Sequence, residues 1–258
     1  MTKPNPESGV IICGAGVAGV AAAYFLSVRC GYKDLTLIDR GQPMAYTSSK
    51  SGENYRNYWP QACMGQLMER SIDLMETLAR QSSDGFEMLG NGYHFVSFEP
   101  DREIFPSEHL REYARGDQLE QIIDESRLRR EFPYLSESVR QLVHIRRAGP
   151  MDVYSMGSFL LGQARKAGVR FENGQVENIH KDSGRFHLQV RTPQGEISLS
   201  SRQLVLTAGP MNPTLASMLG VQLPVQSFLQ RKFIIPDPEN VIPREMPYTI
   251  FADPQHLD

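Results

Sequence analysis

The segment Gly14-Ala-Gly-Val-Ala-Gly19 constrains the fold of this chain more than any other part of its sequence. It follows the short apolar run 9–13 and opens a helix-like stretch of small residues, after which comes the second apolar run Leu35–Asp39. A strand, a glycine turn, a helix and a second strand within about 30 residues make the βαβ unit of a parallel sheet. The sequence therefore predicts an α/β fold with a Rossmann-like beginning.

The same segment predicts a dinucleotide site. Gly14 suits a tight turn, Gly16 leaves room for a phosphate, and Gly19 allows the helix to pack closely on the strand. The free N–H groups and the positive dipole end of the helix favour the pyrophosphate. Asp39, 20 residues after Gly19, stands where a carboxylate holds ribose hydroxyls and repels the 2′-phosphate of NADP. A glycine turn used only for packing is the alternative, but it leaves Asp39 unexplained.

The region after Asp39 bears on the choice between NAD and FAD. An NAD domain continues with regular βαβ repeats, whereas here residues 41–60 form a polar segment that predicts a long functional loop. The next strand signal for this domain comes at 203–210, which ends in Thr-Ala-Gly-Pro. Because Ala208 and Gly209 are small, backbone at this strand end can approach a cofactor closely. This arrangement favours FAD over NAD.

Composition excludes several classes of protein. The chain has 258 residues, a net charge of −3 and 40% apolar residues, as ordinary globular proteins have. It lacks a run of about 18 apolar residues for a membrane span and the basic surface of a nucleic-acid binder. Its start shows no targeting pattern, so a cytoplasmic location is expected.

Cysteine and histidine spacing predicts no metal site. The three cysteines form no CxxC pair, and none of the six histidines has the spacing of metal ligands. His180 and His187 flank a hairpin-like Asp-Ser-Gly turn, and we interpret them as structural or surface histidines.

Periodicity places the remaining elements. The predicted helices are 61–80, 107–115, 118–132, 154–167 and 211–219. The predicted strands are 93–98, 169–171, 175–179, 185–191, 196–199, 203–207, 233–236 and 248–251.

Several segments together resemble FAD-dependent amine and amino-acid oxidoreductases, the group of sarcosine oxidase, glycine oxidase and D-amino acid oxidase. In order, they are GAGVAGVAAAYFL, LTLIDRG, the Ser/Thr-rich loop ending SGENYRNYW, AGPMDVYSMGSFLLGQARKAGVRF, VENI and LVLTAGP. The resemblance covers about residues 9–250 and is most specific in 9–60 and 168–210. It implies a Rossmann-like FAD-binding domain, residues 1–84 and 150–215, with an inserted, mainly β-sheet substrate domain, residues 85–149 and 216–258.

The resemblance also implies roles for individual residues. The glycine segment cradles the FAD pyrophosphate, Asp39 binds the adenosine ribose with Arg40 beside it, and the backbone of Val176 holds the adenine. Other implied cofactor contacts lie in the loop and at the strand end. The full implied set is Gly14, Ala15, Gly16, Val17, Ala18, Gly19, Asp39, Arg40, Thr47, Ser48, Ser49, Gly52, Val176, Ala208 and Gly209.

Arg56 resembles the family arginine that lies over the flavin face, and it is the implied catalytic residue. The stretch Gly-Glu-Asn-Tyr-Arg56 is one residue longer than the family pattern, so a surface arginine in a polar loop is the alternative. Neighbouring aromatic residues could form a cage for an alkylammonium substrate by cation–π attraction, or could serve loop packing.

The resemblance implies oxidation of the C–N bond of a small amine or amino acid. A hydride passes to flavin N5, the imine product is hydrolysed, and the electrons go on to oxygen or another acceptor. An NAD-dependent dehydrogenase and a non-catalytic dinucleotide-binding relative stay open as alternatives. The sequence also stops where the family continues its substrate sheet and returns to the FAD domain. It is therefore expected to be C-terminally incomplete, to bind FAD weakly or not at all, and to lack turnover.

Overall fold

The computed structural model describes residues 7–83, 85–113 and 118–254. The chain divides into two compact units. Unit 1 comprises Met1–Ser51 and Val153–Arg231, and unit 2 comprises Gly52–Asp152 and Lys232–Asp258. Unit 2 therefore consists of a segment inserted between the two parts of unit 1, together with the C-terminal residues.

Unit 1 contains a six-stranded sheet whose strands are β1 Glu7–Cys13, β2 Leu35–Asp39, β8 Arg170–Asn173, β9 Gln175–Asp182, β10 Arg185–Thr192 and β11 Gly195–Leu206. Their order in the sheet is β8-β2-β1-β11-β10-β9. The first four strands in the sheet order are parallel, and β10 pairs antiparallel with both β11 and β9. The central strands are apolar because both of their faces are covered, and Ile11, Leu37 and Ile38 are buried. The predicted α/β beginning is thus confirmed.

The helices of unit 1 lie near the predicted positions. Helix α1 spans Val17–Tyr24 and continues as a π-helical turn, Phe25–Arg29, while α5 spans Val153–Lys166 and packs against α1. A 3₁₀ turn at Gly209–Met211 leads into α6, Asn212–Ser217. The two runs predicted at 196–199 and 203–207 are one strand, β11, because the intervening Ser201 is buried and remains in register with β1 and β10.

The elements of unit 2 are β3 Asn54–Arg56, α2 Ala62–Gln81, β4 Tyr93–Ser97, α3 Ser107–Tyr113, β5 Leu119–Ile122, α4 Glu125–Glu131, β6 Gln141–Ile145, β7 Ala148–Pro150 and β12 Tyr248–Phe251. Four of the strands form a sheet with the order β12-β4-β6-β5, and β3 and β7 form a two-stranded ribbon. One face of the larger sheet packs an aromatic cluster that includes Tyr58 and Phe105, and the opposite face packs Leu128 of α4.

Three predictions of secondary structure are wrong. The helix predicted at 118–132 is a strand followed by a helix: Leu119 and Ile122 are buried in the sheet, and the Asp124 side chain caps α4 by accepting from the N–H of Arg127. The loop predicted at 41–60 contains a 3₁₀ turn, Thr47–Lys50, and β3. Residues 233–236 form no strand, because no described strand pairs with them.

The division into units also differs from the predicted domain boundaries. Residues 52–84 were assigned with the FAD-binding segments, but the described residues among them belong to unit 2. The reason is local pairing, because Asn54 and Arg56 of β3 form a ladder with β7.

Among the described residues, no helix combines the length and apolar character that a bilayer crossing requires.

Candidate functional site

The turn after β1 has room only for glycine at its first position. Gly14 has φ of +110°, and a Cβ at this residue would lie 2.4 Å from the carbonyl oxygen of Thr207. The N–H of Gly14 donates to the carbonyl oxygen of Ile38 at 2.8 Å, which joins the turn to β2. The turn is therefore compressed between β2 and the end of β11.

Gly19 brings helix α1 directly against this turn. A Cβ at Gly19 would lie 1.7 Å from the carbonyl oxygen of Gly14, so a side chain cannot be accommodated without moving the backbone. The hydroxyl of Thr207 donates to the carbonyl oxygens of Cys13 and Gly14 at 3.0 and 2.9 Å. The end of β11 thus satisfies the turn carbonyls, a role for Thr207 that the sequence pattern alone did not show.

The N-terminus of α1 presents hydrogen-bond donors. Gly16 is its N-cap residue and provides no side-chain cap, and the first N–H groups of a helix have no intrahelical acceptor. The Val17 N–H donates to the hydroxyl oxygen of Ser48 at 3.0 Å. A Cβ at Gly16 would lie 3.1 Å from that oxygen. The site therefore combines a helix N-terminus with a hydroxyl on a close 3₁₀ turn, which suits an anionic group.

Asp39 at the end of β2 holds the neighbouring backbone. Its Oδ2 accepts from the N–H of Ala15 at 2.6 Å, and its Oδ1 accepts from the N–H of Gly41 at 2.8 Å. A carboxylate has about four lone-pair sites, so each oxygen keeps capacity for another donor. Asp39 is thus both a brace for the glycine turn and an acceptor available to ribose hydroxyls.

These elements line a cavity of about 690 Å³ within unit 1. Eleven of the fifteen predicted cofactor-binding residues are among its lining, which is consistent with one binding site. They are Gly14, Gly16, Val17, Ala18, Asp39, Arg40, Thr47, Ser48, Val176, Ala208 and Gly209.

The other predicted residues do not line this cavity. Ala15 and Gly19 shape the turn through their backbone, and the Ser49 hydroxyl donates to the carbonyl oxygen of Tyr46 at 3.1 Å. Gly52 and Arg56 belong to unit 2. Because these residues do not line the cavity, their predicted roles at the cofactor remain predictions.

Several lining residues were missed by the sequence interpretation. Met44 is buried, and its N–H donates to the carbonyl oxygen of Ala15 at 2.9 Å. Asn212 in α6 accepts from the N–H of Ala208 at 2.7 Å, which fixes the strand end. The signal that could have found Asn212 is its place at the start of the helix that directly follows the Thr-Ala-Gly strand end.

Cys13 also lines the cavity, at the end of β1. Burial raises the pKa of its thiol to about 12. Because the thiolate is the nucleophilic form, Cys13 acts as a small apolar residue rather than as a reactive group.

In unit 2, Arg56 packs among aromatic rings. Its guanidinium carbon lies 4.6 Å from the ring centroid of Trp59 and 5.6 Å from those of Tyr93 and Phe95. Its Nε is buried and has no hydrogen-bond partner among the described residues. The aromatic rings near β3 therefore surround a cation of the chain itself, and Arg56 is half-buried rather than free on the surface.

Comparison with known proteins identifies the family. The model of the DAO family, described as FAD dependent oxidoreductase, matches residues 9–256. The chain belongs to this family. FAD is the family's cofactor, and the classification decides against the NAD alternative.

Two curated relatives of this DAO-family chain are sarcosine oxidases. The monomeric sarcosine oxidase of Streptomyces avermitilis is 27% identical over 228 residues, which are 86% of this chain and 57% of the relative. The sarcosine oxidase subunit beta of Rhizobium meliloti is 23% identical over 246 residues, covering 90% and 56%. A glycine oxidase structure from Geobacillus kaustophilus matches with a TM-score of 0.72 at 19% identity, covering 85% of this chain and 60% of that one. The chain thus spans just over half the length of these relatives.

The residues of unit 1 fit the FAD of the family. The glycine turn leaves a cradle that a Cβ at Gly14 or Gly19 would disrupt, and the α1 N-terminus supplies donors for phosphate. The Asp39 carboxylate beside the turn supplies acceptors for hydroxyl groups.

Proposed function

We propose that this chain provides the dinucleotide-binding part of an FAD-dependent oxidoreductase that oxidises the C–N bond of a small amine or amino acid. The observation that carries the proposal is the cavity of unit 1, where the glycine turn, the α1 N-terminus and Asp39 meet. The names of the relatives, sarcosine oxidase and glycine oxidase, suggest the substrate class.

Within this proposal, each element of the cavity has a distinct task. Gly14, Gly16 and the hydroxyls of Thr47 and Ser48 hold the pyrophosphate, by backbone approach and hydrogen bonding. Asp39 holds the ribose hydroxyls. All lining residues belong to unit 1, so we now expect measurable FAD binding by this chain, in place of the weak or absent binding expected from the sequence.

Four further lining residues act along the cofactor. The backbone of Val176 faces the adenine, and Arg40 lies beside the ribose that Asp39 holds. Ala208 and Gly209 allow close approach at the flavin end, because their small size leaves the backbone accessible. The remaining proposed cofactor-binding residues are Ala15, Val17, Ala18, Gly19, Ser49 and Gly52.

When bound, FAD would supply an acceptor for a hydride equivalent from the carbon next to the amine nitrogen, and the electrons would pass on to oxygen or another acceptor. The proposed contribution of Arg56 is a permanent positive charge. A guanidinium stays charged throughout the physiological pH range, and aromatic surroundings reduce solvent screening of its charge. Arg56 can therefore attract negative charge without donating a proton.

The proposal is tested by reconstituting the purified chain with FAD and measuring flavin absorbance after desalting. A panel containing sarcosine, glycine and other small amines is then assayed in air and with an artificial acceptor. Substrate-dependent bleaching of the flavin supports an oxidoreductase. FAD binding without bleaching by any amine supports the dinucleotide-binding role alone and agrees with the lack of turnover expected of this chain, whereas absence of FAD binding contradicts the proposal. A cytoplasmic location is also proposed, and cell fractionation tests it.

A further inference from the structure

Two histidines face each other on the hairpin of β9 and β10. His180 and His187 are directly opposite in the antiparallel register. Their ring centroids are 5.1 Å apart and their planes differ by 16°, so the imidazoles are stacked. Directly opposite residues have Cβ atoms about 4.5–5.5 Å apart, which places both rings over one spot of the sheet surface.

Both rings are available to a ligand. His180 is exposed and His187 half-buried, and neither imidazole has a hydrogen bond or ion pair within the described part of the chain. The nearest cation along β10 is Arg185, which already pairs with Glu7 at 3.5 Å and donates to Ser200 at 3.4 Å. Asp182 lies two residues after His180, on the same face of β9.

We propose that His180 and His187 bind one divalent first-row transition metal ion, with water completing its coordination. Imidazole nitrogen is a preferred ligand of Zn²⁺, Ni²⁺ and Cu²⁺. Two nitrogens on one ion lie at most about 4.2 Å apart, because each bond is about 2.0–2.1 Å long. Because the nitrogen lone pairs lie in the ring planes, the two imidazoles must rotate out of the stacked arrangement to direct one nitrogen each at a common ion.

The proposed site differs from sites built entirely of protein ligands. Among the described residues, no group of three or more His, Cys, Asp or Glu side chains is placed to hold a metal. The site is therefore a two-ligand surface chelate that clamps β9 to β10. It is independent of the proposed FAD chemistry, so either proposal can fail without the other.

Ni²⁺ is the preferred probe, because Cu²⁺ can oxidise the exposed free thiols of Cys30 and Cys63. The experiment titrates Ni²⁺ into the untagged full chain by calorimetry and records the thermal midpoint with and without the ion. The variants are His180→Gln, His187→Gln and the double substitution. The control is His109→Gln, which removes a histidine of unit 2.

We expect one Ni²⁺ per chain in the wild type and a raised thermal midpoint, since a ligand that binds only the folded state stabilises it. Loss of a second-shell partner already weakens metal binding about 10–100-fold, so each single variant should lose at least that much. His109→Gln should bind as the wild type does. Wild-type affinity in the double variant, or no Ni²⁺ binding by a folded wild type, would overturn the proposal. Unchanged midpoints without Ni²⁺ establish that the variants fold.

Discussion

The backbone N–H of Ala15 donates to Oδ2 of Asp39 at 2.6 Å, joining the glycine turn to the end of β2. The other carboxylate oxygen accepts from the N–H of Gly41. The residue proposed to hold the ribose therefore also fixes the backbone proposed to hold the pyrophosphate. Substitution at this position should affect folding stability and cofactor binding together.

Asp39→Ala should lower the free energy of unfolding by about 1.5–3 kcal/mol, because hydrogen bonds to a charged group are worth about that much. Asp39→Asn should lose less, since its amide oxygen still accepts one of the two N–H groups. Urea unfolding in the absence of FAD measures this effect. Equal stability of the Ala variant and the wild type would show that Asp39 does not brace the turn.

Gly19→Ala should be strongly destabilising, because its Cβ would lie 1.7 Å from a backbone oxygen. Overpacking costs about 1–3 kcal/mol and sometimes more, and a backbone neighbour cannot move aside as a flexible side chain can. The matched control is Gly162→Ala in α5, where the added Cβ meets no atom within 4 Å.

Because alanine favours helix more than glycine does, Gly162→Ala should stabilise the protein by about 0.5–1 kcal/mol. Thermal or urea unfolding of both variants compares the two positions. Equal shifts of stability in the same direction by the two substitutions would contradict the close packing of Gly19 on the Gly14 carbonyl oxygen.

The pair His94 and His144 should make stability depend on acidic pH. Burial lowers the pKa of His94 to about 3, with a smaller contribution from His144. Burial, and then Arg146, lowers the pKa of His144 to about 4. In the unfolded chain both pKa values are near 6.5, so the unfolded state binds more protons below that pH.

Stability should therefore fall as the pH drops below about 6.5 and continue to fall toward these folded pKa values, by at most about 1.4 kcal/mol per pH unit for each histidine. His94→Phe should flatten the dependence, and His180→Gln at an exposed position should not. The measurement is the free energy of unfolding by urea between about pH 4.5 and 7. A slope unchanged in His94→Phe would contradict the burial argument.

Thiol accessibility should separate the three cysteines. Cys13 is buried with a raised pKa, whereas Cys30 and Cys63 are exposed. Iodoacetamide should therefore modify Cys30 and Cys63 in the folded chain and all three in urea. Peptide mass spectrometry identifies the sites, and rapid modification of Cys13 in the folded protein would show that the end of β1 is open.

The parts of unit 1 that could be predicted from sequence are those that depend on local pattern. The apolar run at 35–39 and the glycines at 14, 16 and 19 each require their conformation for a steric or burial reason. The sequence predicts a strand at 169–171, close to the observed β8, Arg170–Asn173, but the place of β8 beside β2 depends on a chain return after the insertion. Local periodicity contains no information about such long-range order.

Unit 2 shows the opposite case. Leu119 and Ile122 have helical spacing, yet both are buried in a strand, because sheet pairing with β6 outweighs the local preference. The packing of Arg56 against Tyr93 and Phe95 could not be predicted either, because these two rings belong to β4, which is distant from Arg56 in the sequence. The pairing of His180 with His187, by contrast, follows from the hairpin turn between them.

An FAD titration of the full chain, followed by flavin fluorescence, tests whether the cavity of unit 1 binds FAD. The comparison sets the wild type against Gly16→Ala, whose Cβ would occupy the space beside the Ser48 hydroxyl at the α1 N-terminus. Gly162→Ala is the control. We predict saturable FAD binding by the wild type and the control, no comparable binding of NAD, and strongly weakened FAD binding by Gly16→Ala. Absence of FAD binding by the folded wild type, or equal binding by Gly16→Ala, would contradict the assignment of this cavity.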